Sequence, residues 1–360
     1  MKIFCQQKEL AAAVGLASRA VSGRPTHPVL GNLKLETDGM TLTITGFDLR
    51  TMVQVDIAAD GQPGTWTVNA KMFGDIVNRL PPGDMSLELK EEAIAINAGF
   101  AKFNVRGISP EEYPDLPVVK GEDIIFPADL LREAIKSVAF AASTDETKQV
   151  LTGVHVKGDG ESLELAATDG HRLAVHRLEY AAPEIAVTIP AKALMEVEKM
   201  MDGVEEINMC LGKDQISFTI PGRRLTCRVL EGTYPAYHQL IPVQFESVVT
   251  VDRQPLLETL TRLSVLSDKN NLAQIHFDKD CLIATTEDGE LGNGREQLDS
   301  QLTGTPEEFG FNLKYLLESL RHLPGQAIQL KFNQPNQPVI TIPLGGQDIT
   351  HLVMPVNLIK

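Results

Sequence analysis

Cysteine is scarce in this chain of 360 residues: Cys5, Cys210, Cys227 and Cys281 show no CxxC spacing and no neighbouring His pair. That excludes the usual zinc frameworks and fits free thiols in a reducing compartment. No apolar run approaches the ~20 residues that span a bilayer. The opening Met1-Lys2-Ile3-Phe4-Cys5-Gln6-Gln7 turns polar too early for a secretory signal, so a cytoplasmic protein is expected. No metal-ligand cluster, cofactor motif or low-complexity tract stands out, and neither a metal nor a cofactor is expected. Positive charge is also in deficit. The 33 Lys/Arg and 48 Asp/Glu leave a formal net charge of −15, which at face value opposes tight nucleic-acid binding.

What the chain has instead is repetition. Pro190-Ala191-Lys192-Ala193-Leu194 runs through Met201 to Asp202-Gly203. It is echoed by Asn69-Ala70-Lys71-Met72-Phe73 through Leu80 to Pro82-Gly83, and by Asn312-Leu313-Lys314-Tyr315-Leu316 through Leu323 to Pro324-Gly325. The lysines Lys71, Lys192 and Lys314 lie 121 and 122 residues apart. Apolar residues follow each lysine at offsets two and nine, a separation of two helical turns, so each copy predicts a short amphipathic helix with a Gly stop. Tyr113-Pro114 and Tyr234-Pro235 are 121 apart, and Asp48, Asp169 and Asp288 are 121 and 119 apart. Leu10, Leu130 and Leu256, each near the start of a further helical pattern, are 120 and 126 apart. A period near 120 in 360 residues means three copies of one domain, with limits expected at 1–120, 121–243 and 244–360.

Each copy reads as an α+β domain, a β-α-β-β-β unit used twice, with helices laid on antiparallel sheets. In the first, strands are expected over Lys2–Cys5, Val29–Glu36, Met40–Phe47 and Thr51–Ile57, and a helix over Gln7–Val21. In the second, helix Asp129–Ala142 places Leu130, Ala134, Ile135 and Val138 on one face. The six expected helices hold 12 of the 33 basic and 8 of the 48 acidic residues, a net +4; the remaining 21 and 40 give −19. The helical layer is thus mildly basic and everything else strongly acidic, although a solvated amphipathic face would also mix both signs.

Two segments invite a chemical reading. Thr168-Asp169-Gly170-His171-Arg172-Leu173 joins two apolar strands and reads either as an Asp-Gly hairpin turn or as a binding segment. Asp48, Asp169 and Asp288 could be acid/base or metal groups of a hydrolase. Their recurrence once per repeat favours a structural turn over a unique active site, and no nucleophile accompanies them.

Arg24-Pro25-Thr26-His27-Pro28-Val29-Leu30-Gly31-Asn32-Leu33, Ala167-Thr168-Asp169-Gly170-His171-Arg172-Leu173-Ala174, Gly232-Thr233-Tyr234-Pro235 and Val353-Met354-Pro355-Val356-Asn357-Leu358 occur in this order over the three repeats. On these segments the chain resembles, over its whole length, the β subunit of bacterial DNA polymerase III, the sliding-clamp family. The resemblance implies a non-catalytic processivity factor whose three like domains close as a head-to-tail homodimer into a ring. Helices would line the hole, and sheets the outside, around duplex DNA of any sequence. Twelve helices spaced ~8–10 Å apart enclose a circle about 35 Å across between axes. About 25 Å remains once a helix diameter of ~10 Å is removed, enough for a duplex. A weakly positive wall suits sliding better than a strongly basic one, which would hold phosphates in place.

The resemblance further implies a hydrophobic groove between domains two and three that takes short linear peptides of polymerase, clamp loader and repair proteins. Its residues map onto Leu151, Thr168, Gly170, His171, Arg172, Leu173, Pro235, Leu240, Val339, Leu352, Val353, Met354, Pro355 and Val356. Arg24, Lys71 and Lys148 match DNA-facing positions, and Phe103 and Val105 would meet Val265 and Leu266 across the dimer contact. The chain departs from the family pattern at Gln239 and Asn357, where basic residues are common, in its Ile359-Lys360 extension, and at Arg295, in a segment (289–297) that tends to be acidic. Deleting residues 353–360 is expected to remove one groove wall and spare the fold.

Overall fold

In the computed structural model, residues 1–267, 271–288 and 292–356 are described. The first repeat runs β1 (Lys2–Gln6), α1 (Gln7–Ala17), β2 (Asn32–Thr37), β3 (Thr41–Phe47), β4 (Thr51–Ala58), a short β5 (Asp60–Gln62), β6 (Gly64–Asn69), α2 (Ala70–Val77), β7 (Asp84–Lys90), β8 (Ala93–Ala98) and β9 (Ala101–Ile108). The second comprises β10 (Glu122–Pro127), α3 (Ala128–Val138), β11 (Gly153–Gly158), β12 (Leu163–Thr168), β13 (Arg172–Leu178), β14 (Ile185–Pro190), α4 (Ala191–Met200), β15 (Glu206–Leu211), β16 (Gln215–Ile220) and β17 (Arg223–Arg228). The third comprises β18 (Ser247–Asp252), α5 (Arg253–Leu263), β19 (Leu272–Phe277), β20 (Cys281–Asp288), β21 (Gly292–Asp299), a short β22 (Gln301–Thr303), β23 (Glu307–Asn312), α6 (Leu313–His322), β24 (Ala327–Phe332), β25 (Val339–Pro343) and β26 (Asp348–Val353). Apart from β5 and β22, each repeat is β-α-β-β-β twice, as its sequence implies.

The two halves of a repeat exchange their leading strands. β1 pairs antiparallel with β7 of the second meander, and β6 with β2 of the first. The same exchange joins β10 to β15 and β14 to β11, then β18 to β24 and β23 to β19. Neither half can complete a four-stranded sheet alone, so the repeat is the smallest unit with every meander covered. The helices supply the apolar face. Phe73, Leu194 and Leu316 are buried, as are Leu80, Met201 and Leu323 seven residues on, while Lys71, Lys192 and Lys314 stay exposed. Asn69 and Asn312 cap α2 and α6, accepting from the amides of Met72 and Lys314, each at 3.0 Å. The closing glycines Gly83, Gly203 and Gly325 have φ of 124°, 72° and 86°, which glycine adopts without a steric penalty.

Three local expectations are corrected. The first helix ends at Ala17 and tightens into a 3-10 turn over Ser18–Ala20 rather than running to Val21. The strand expected from Val29 starts at Asn32, because Pro28 opens a 3-10 turn that sends Val29 and Leu30 into a small core with Phe47, Met52 and Tyr113. On α3 the buried residue is Leu131, with Leu130 exposed. Leu131, Ala134, Ile135 and Val138 follow the i, i+3, i+4, i+7 rule, and Leu131 stands 121 residues after Leu10.

The chain packs as two compact units, residues 1–129 with 199–229 and residues 130–198 with 230–360. In the first, β17 pairs with β4 and adds β10, β15 and β16 to a thirteen-stranded sheet of the first repeat. In the second, β13 pairs with β26 in a nine-stranded sheet, beside a four-stranded sheet ending on β21. The core of the third repeat is aromatic, with Phe277, Phe309, Phe311 and Phe332 in ring contact. No helix among the described residues is long and apolar enough to cross a membrane.

Candidate functional site

The second unit brings the groove residues together where β13 meets β26. The antiparallel register sets Leu173 against Leu352 and Arg172 against Val353, and the Met354 amide then donates to the His171 carbonyl at 2.9 Å. Val353 and Met354 are thereby held beside the 168–172 turn. Asp169 shapes that turn, its Oδ1 accepting from the amides of His171 (2.9 Å) and Arg172 (3.1 Å), with Gly170 at φ 94°. The hairpin-turn reading of the segment therefore holds, and the turn also forms one edge of the cleft.

An apolar floor underlies it: Ala166, Leu173, Val175, Tyr234, Tyr237, Ile340 and Leu352 are buried together, with Val150, Leu151 and Ile241 half-buried on them. Leu240 (54% exposed), Met354 (38%) and Val356 (43%) keep large apolar area in solvent around this floor. His171, Gly170 and Pro235 are exposed and Leu151 and Pro355 partly so, whereas Thr168, Leu173 and Leu352 are buried supports. Val339 and Val353 belong to the core of the third repeat and offer little surface of their own.

Arg172 is the most constrained residue of the set. Its side chain is 8% exposed and pairs with Asp169 (3.1 Å) and Glu318. The guanidinium donates to the Phe140 carbonyl at 2.7 Å and lies 5.2 and 4.8 Å from the rings of Phe140 and Tyr315. It ties β13 to α6, and its planar fork suits that task better than an ammonium would. Behind it, His351 meets the Ser319 hydroxyl through Nδ1 (2.9 Å) and the Ser137 carbonyl through Nε2 (2.8 Å), and His176 meets the Ser137 hydroxyl at 2.8 Å. Burial pushes both imidazoles down, His351 to about 3 and His176 to about 4, so both are neutral at neutral pH. Sequence reasoning missed Tyr234 and Tyr237 as floor residues and Phe140, Tyr315 and Glu318 as the partners of Arg172. The two tyrosines in Tyr234-Pro235-Ala236-Tyr237 were the available signal, since a mere linker has little use for two large rings.

The remaining assigned residues are scattered. Arg24 is exposed on the loop after α1, where Pro25 packs on Gly31 beside Asn69, so the loop lies at the end of α2 that carries Lys71. Lys148 occupies the corresponding loop of the second repeat and its Nζ reaches the Asp169 carbonyl at 3.4 Å, at the edge of the cleft. Phe103 is 43% exposed on β9, but Val105 is 1% exposed. Two residues apart, they share a face of β9, which is covered by the repeat's own core at Val105 and left open at Phe103. Val265 is 75% exposed and Leu266 half-buried in a 3-10 turn that packs on β20 and β21.

Asp48 repeats the turn of Asp169, accepting from the amides of Arg50 (2.9 Å) and Thr51 (2.6 Å). The carboxylates proposed for hydrolysis thus serve their own loops in two repeats; the Asp288 side chain, Asn357, Ile359, Lys360 and residues 289–291 lie outside the described residues. Among the described residues no group of three or more His, Cys, Asp or Glu is placed to hold a metal.

A triplicated α+β chain whose open features are an apolar cleft and unpaired strand edges is a binding and assembly scaffold. More narrowly, the chain belongs to the DNA polymerase III beta subunit family, the beta sliding clamps: the family's N-terminal, central and C-terminal domain models match residues 1–117, 126–236 and 238–357. It is 44% identical to the beta sliding clamp of Synechocystis sp., with both chains wholly covered. It is 41% identical to that of Synechococcus elongatus, covering 99% of this chain and 100% of the relative. Among solved structures, the DNA polymerase sliding clamp from Bacillus subtilis superposes with a TM-score of 0.92 at 29% identity over all of both chains. The DnaN sliding clamp from Pseudomonas aeruginosa bound to griselimycin superposes with a TM-score of 0.92 at 26% identity, covering 99% of this chain and 100% of that one. The chain is accordingly a sliding clamp, a processivity factor that acts without catalysis.

Proposed function

We propose that two copies of this chain close head to tail around duplex DNA and tether replicative polymerase, clamp loader and repair proteins through the cleft at β13 and β26. The observation that carries the reading is the pattern of strand edges. The last strand of the first meander, β4, pairs with β17 of the following repeat, and β13 likewise pairs with β26. Continued once more, β21 would pair with the β9 position of a next repeat. A second copy supplies one. β21 ends its sheet, and β9 is open over residues 101–106 on the side away from β8. A heterologous contact of this kind closes into a ring when its rotation allows.

In that contact Phe103 meets Val265 and Leu266, with Val105 supporting the strand from inside. Arg24, Lys71 and Lys148 serve as weak, distributed phosphate contacts in the ring, and the site of action is the cytoplasm. The domains divide at 1–120, 121–243 and 244–360. In the cleft Met354, Leu240 and Val356 receive the large apolar residues of a partner peptide, and Leu151, Pro235 and Pro355 complete its walls. Met354 suits several partners because its thioether side chain adapts its shape.

Light scattering tests the ring contact. The expected mass is that of two 39.4-kDa chains. Phe103→Asp with Val265→Asp should give single chains, because charge is forced into a dry contact. A wild-type mass of one chain, or a variant that stays paired at nanomolar concentration, would overturn the contact.

A further inference from the structure

The first unit contains a counterpart of the peptide cleft. The amide of Arg228, just past the ladder of β17, donates to the Arg50 carbonyl at 3.1 Å, as Met354 does to His171. The Asp48 turn stands where the Asp169 turn stands, and Pro114 follows Tyr113 as Pro235 follows Tyr234. Between these elements lies a cleft of about 320 Å³. That volume is at the small end for ligand sites and holds one or two side chains.

The chemistry of this cleft differs from that of the other. Arg228 occupies the position of Met354 and Arg50 that of His171, so the rim is cationic. Both side chains are exposed, neither forms an ion pair among the described residues, and Asp115 is the one acid lining the cleft. Phe47, Pro114 and Pro117 give it apolar walls. Leu49 adds a further observation. It sits where the second repeat has Gly170, at φ 73°, a left-handed conformation that strains a leucine, and it is 45% exposed at the cleft. A glycine would relieve the strain; a leucine kept in such a conformation points to a use for its side chain.

We propose that the cleft between β4 and β17 is a second docking site, for a short linear peptide of a partner protein in which carboxylates flanked by apolar residues reach Arg50 and Arg228 while an apolar side chain packs on Leu49. The proposal extends the peptide-cleft reading to a site of different specificity, and its test separates the two. Charge-assisted fork contacts to carboxylates select acidic segments, and a rim of like charge rejects basic ones.

The probe is a fluorescein-labelled Leu-Glu-Leu-Glu-Leu peptide, with its lysine counterpart as control, titrated by polarisation against the full chain. Saturable binding of the glutamate peptide, at least tenfold tighter than the lysine peptide, is expected. Arg50→Glu with Arg228→Glu should weaken it at least tenfold. Leu49→Gly should weaken it severalfold with a thermal midpoint unchanged or raised, which distinguishes lost contact from lost fold. Met354→Ala with Leu240→Ala should leave it in place. No saturable binding at millimolar peptide overturns the proposal. So does binding lost in the Met354 and Leu240 variant but kept in the arginine variant, which would assign the peptide to the other cleft. Displacement of the peptide by a duplex oligonucleotide, with the arginine variant losing DNA binding, would make these arginines a phosphate contact and overturn it equally.

Discussion

Arg172 shows how one residue can support a cleft from behind while engaged by its own neighbours. Its charge is shared between Asp169 and Glu318, and its plane between two rings. Arg172→Ala would leave two poorly exposed carboxylates without their cation, at a cost of about 3 kcal/mol, the lower end for breaking a buried pair because Glu318 retains some solvent. Urea titration should show this loss, with peptide affinity falling in the same variant. Full stability would contradict the assigned role. The buried histidines give a pH signature. In the unfolded chain both titrate near 6.5; in the fold His176 is pushed down to about 4 and His351 to about 3. As pH falls below 6.5 the unfolded chain takes up protons first. Stability is therefore complete above that value and is lost toward pH 4, at up to about 1.4 kcal/mol per pH unit for each histidine. Urea midpoints at pH 7 and pH 5 should differ accordingly, and His176→Gln with His351→Gln should flatten the difference. An unchanged slope would mean that other groups govern it. At this scale the sequence was informative about spacing and silent about partners. Lys71, Lys192 and Lys314 fall on equivalent exposed positions as their period required, but no spacing links Arg172 to Glu318, which is 146 residues away.

Elements were legible where periodicity and local chemistry agree. The three glycine-stopped helices recur as expected. Leu130 and Leu131 are indistinguishable by composition, and only the buried i, i+3, i+4, i+7 set singles out Leu131. The 3-10 turn at Pro28 was hidden because Val29-Leu30 has strand-forming composition, while the proline ahead of it governs the backbone. The tail is a consequential case. Val353 pairs with both Arg172 and Val339 and is buried in the third repeat's core. Deleting 353–360 therefore removes a core side chain as well as a cleft wall, so it costs stability in addition to the wall. Deletion of 354–360 should leave the thermal midpoint within a few degrees and abolish binding of polymerase-derived peptides at the cleft. Deletion from 353 should lower the midpoint clearly, since a buried valine contributes on the order of 1.5–3 kcal/mol. Equal midpoints for the two truncations would show that Val353 carries no such load.

On the scale of the whole molecule, triplication was readable because one period ran through four independent sets of residues. The exchange of leading strands between half-repeats was not, because sheet partners 84 residues apart, such as Ile3 and Leu87, leave no local trace. Nor was the division into two units, which cuts through the second repeat because β17 joins the first repeat's sheet and β13 the third's. The weakly basic helical layer and strongly acidic remainder agree with a ring that holds DNA by topology rather than by affinity. That claim is tested most directly by retention on DNA. The protein is loaded with clamp loader and ATP onto nicked circular duplex and followed by gel filtration at high salt before and after a single restriction cut. Co-elution with the circle that survives salt and is lost on linearisation is expected. Dissociation from the intact circle at high salt, or persistence on the linear form, would show that contacts rather than enclosure hold it there.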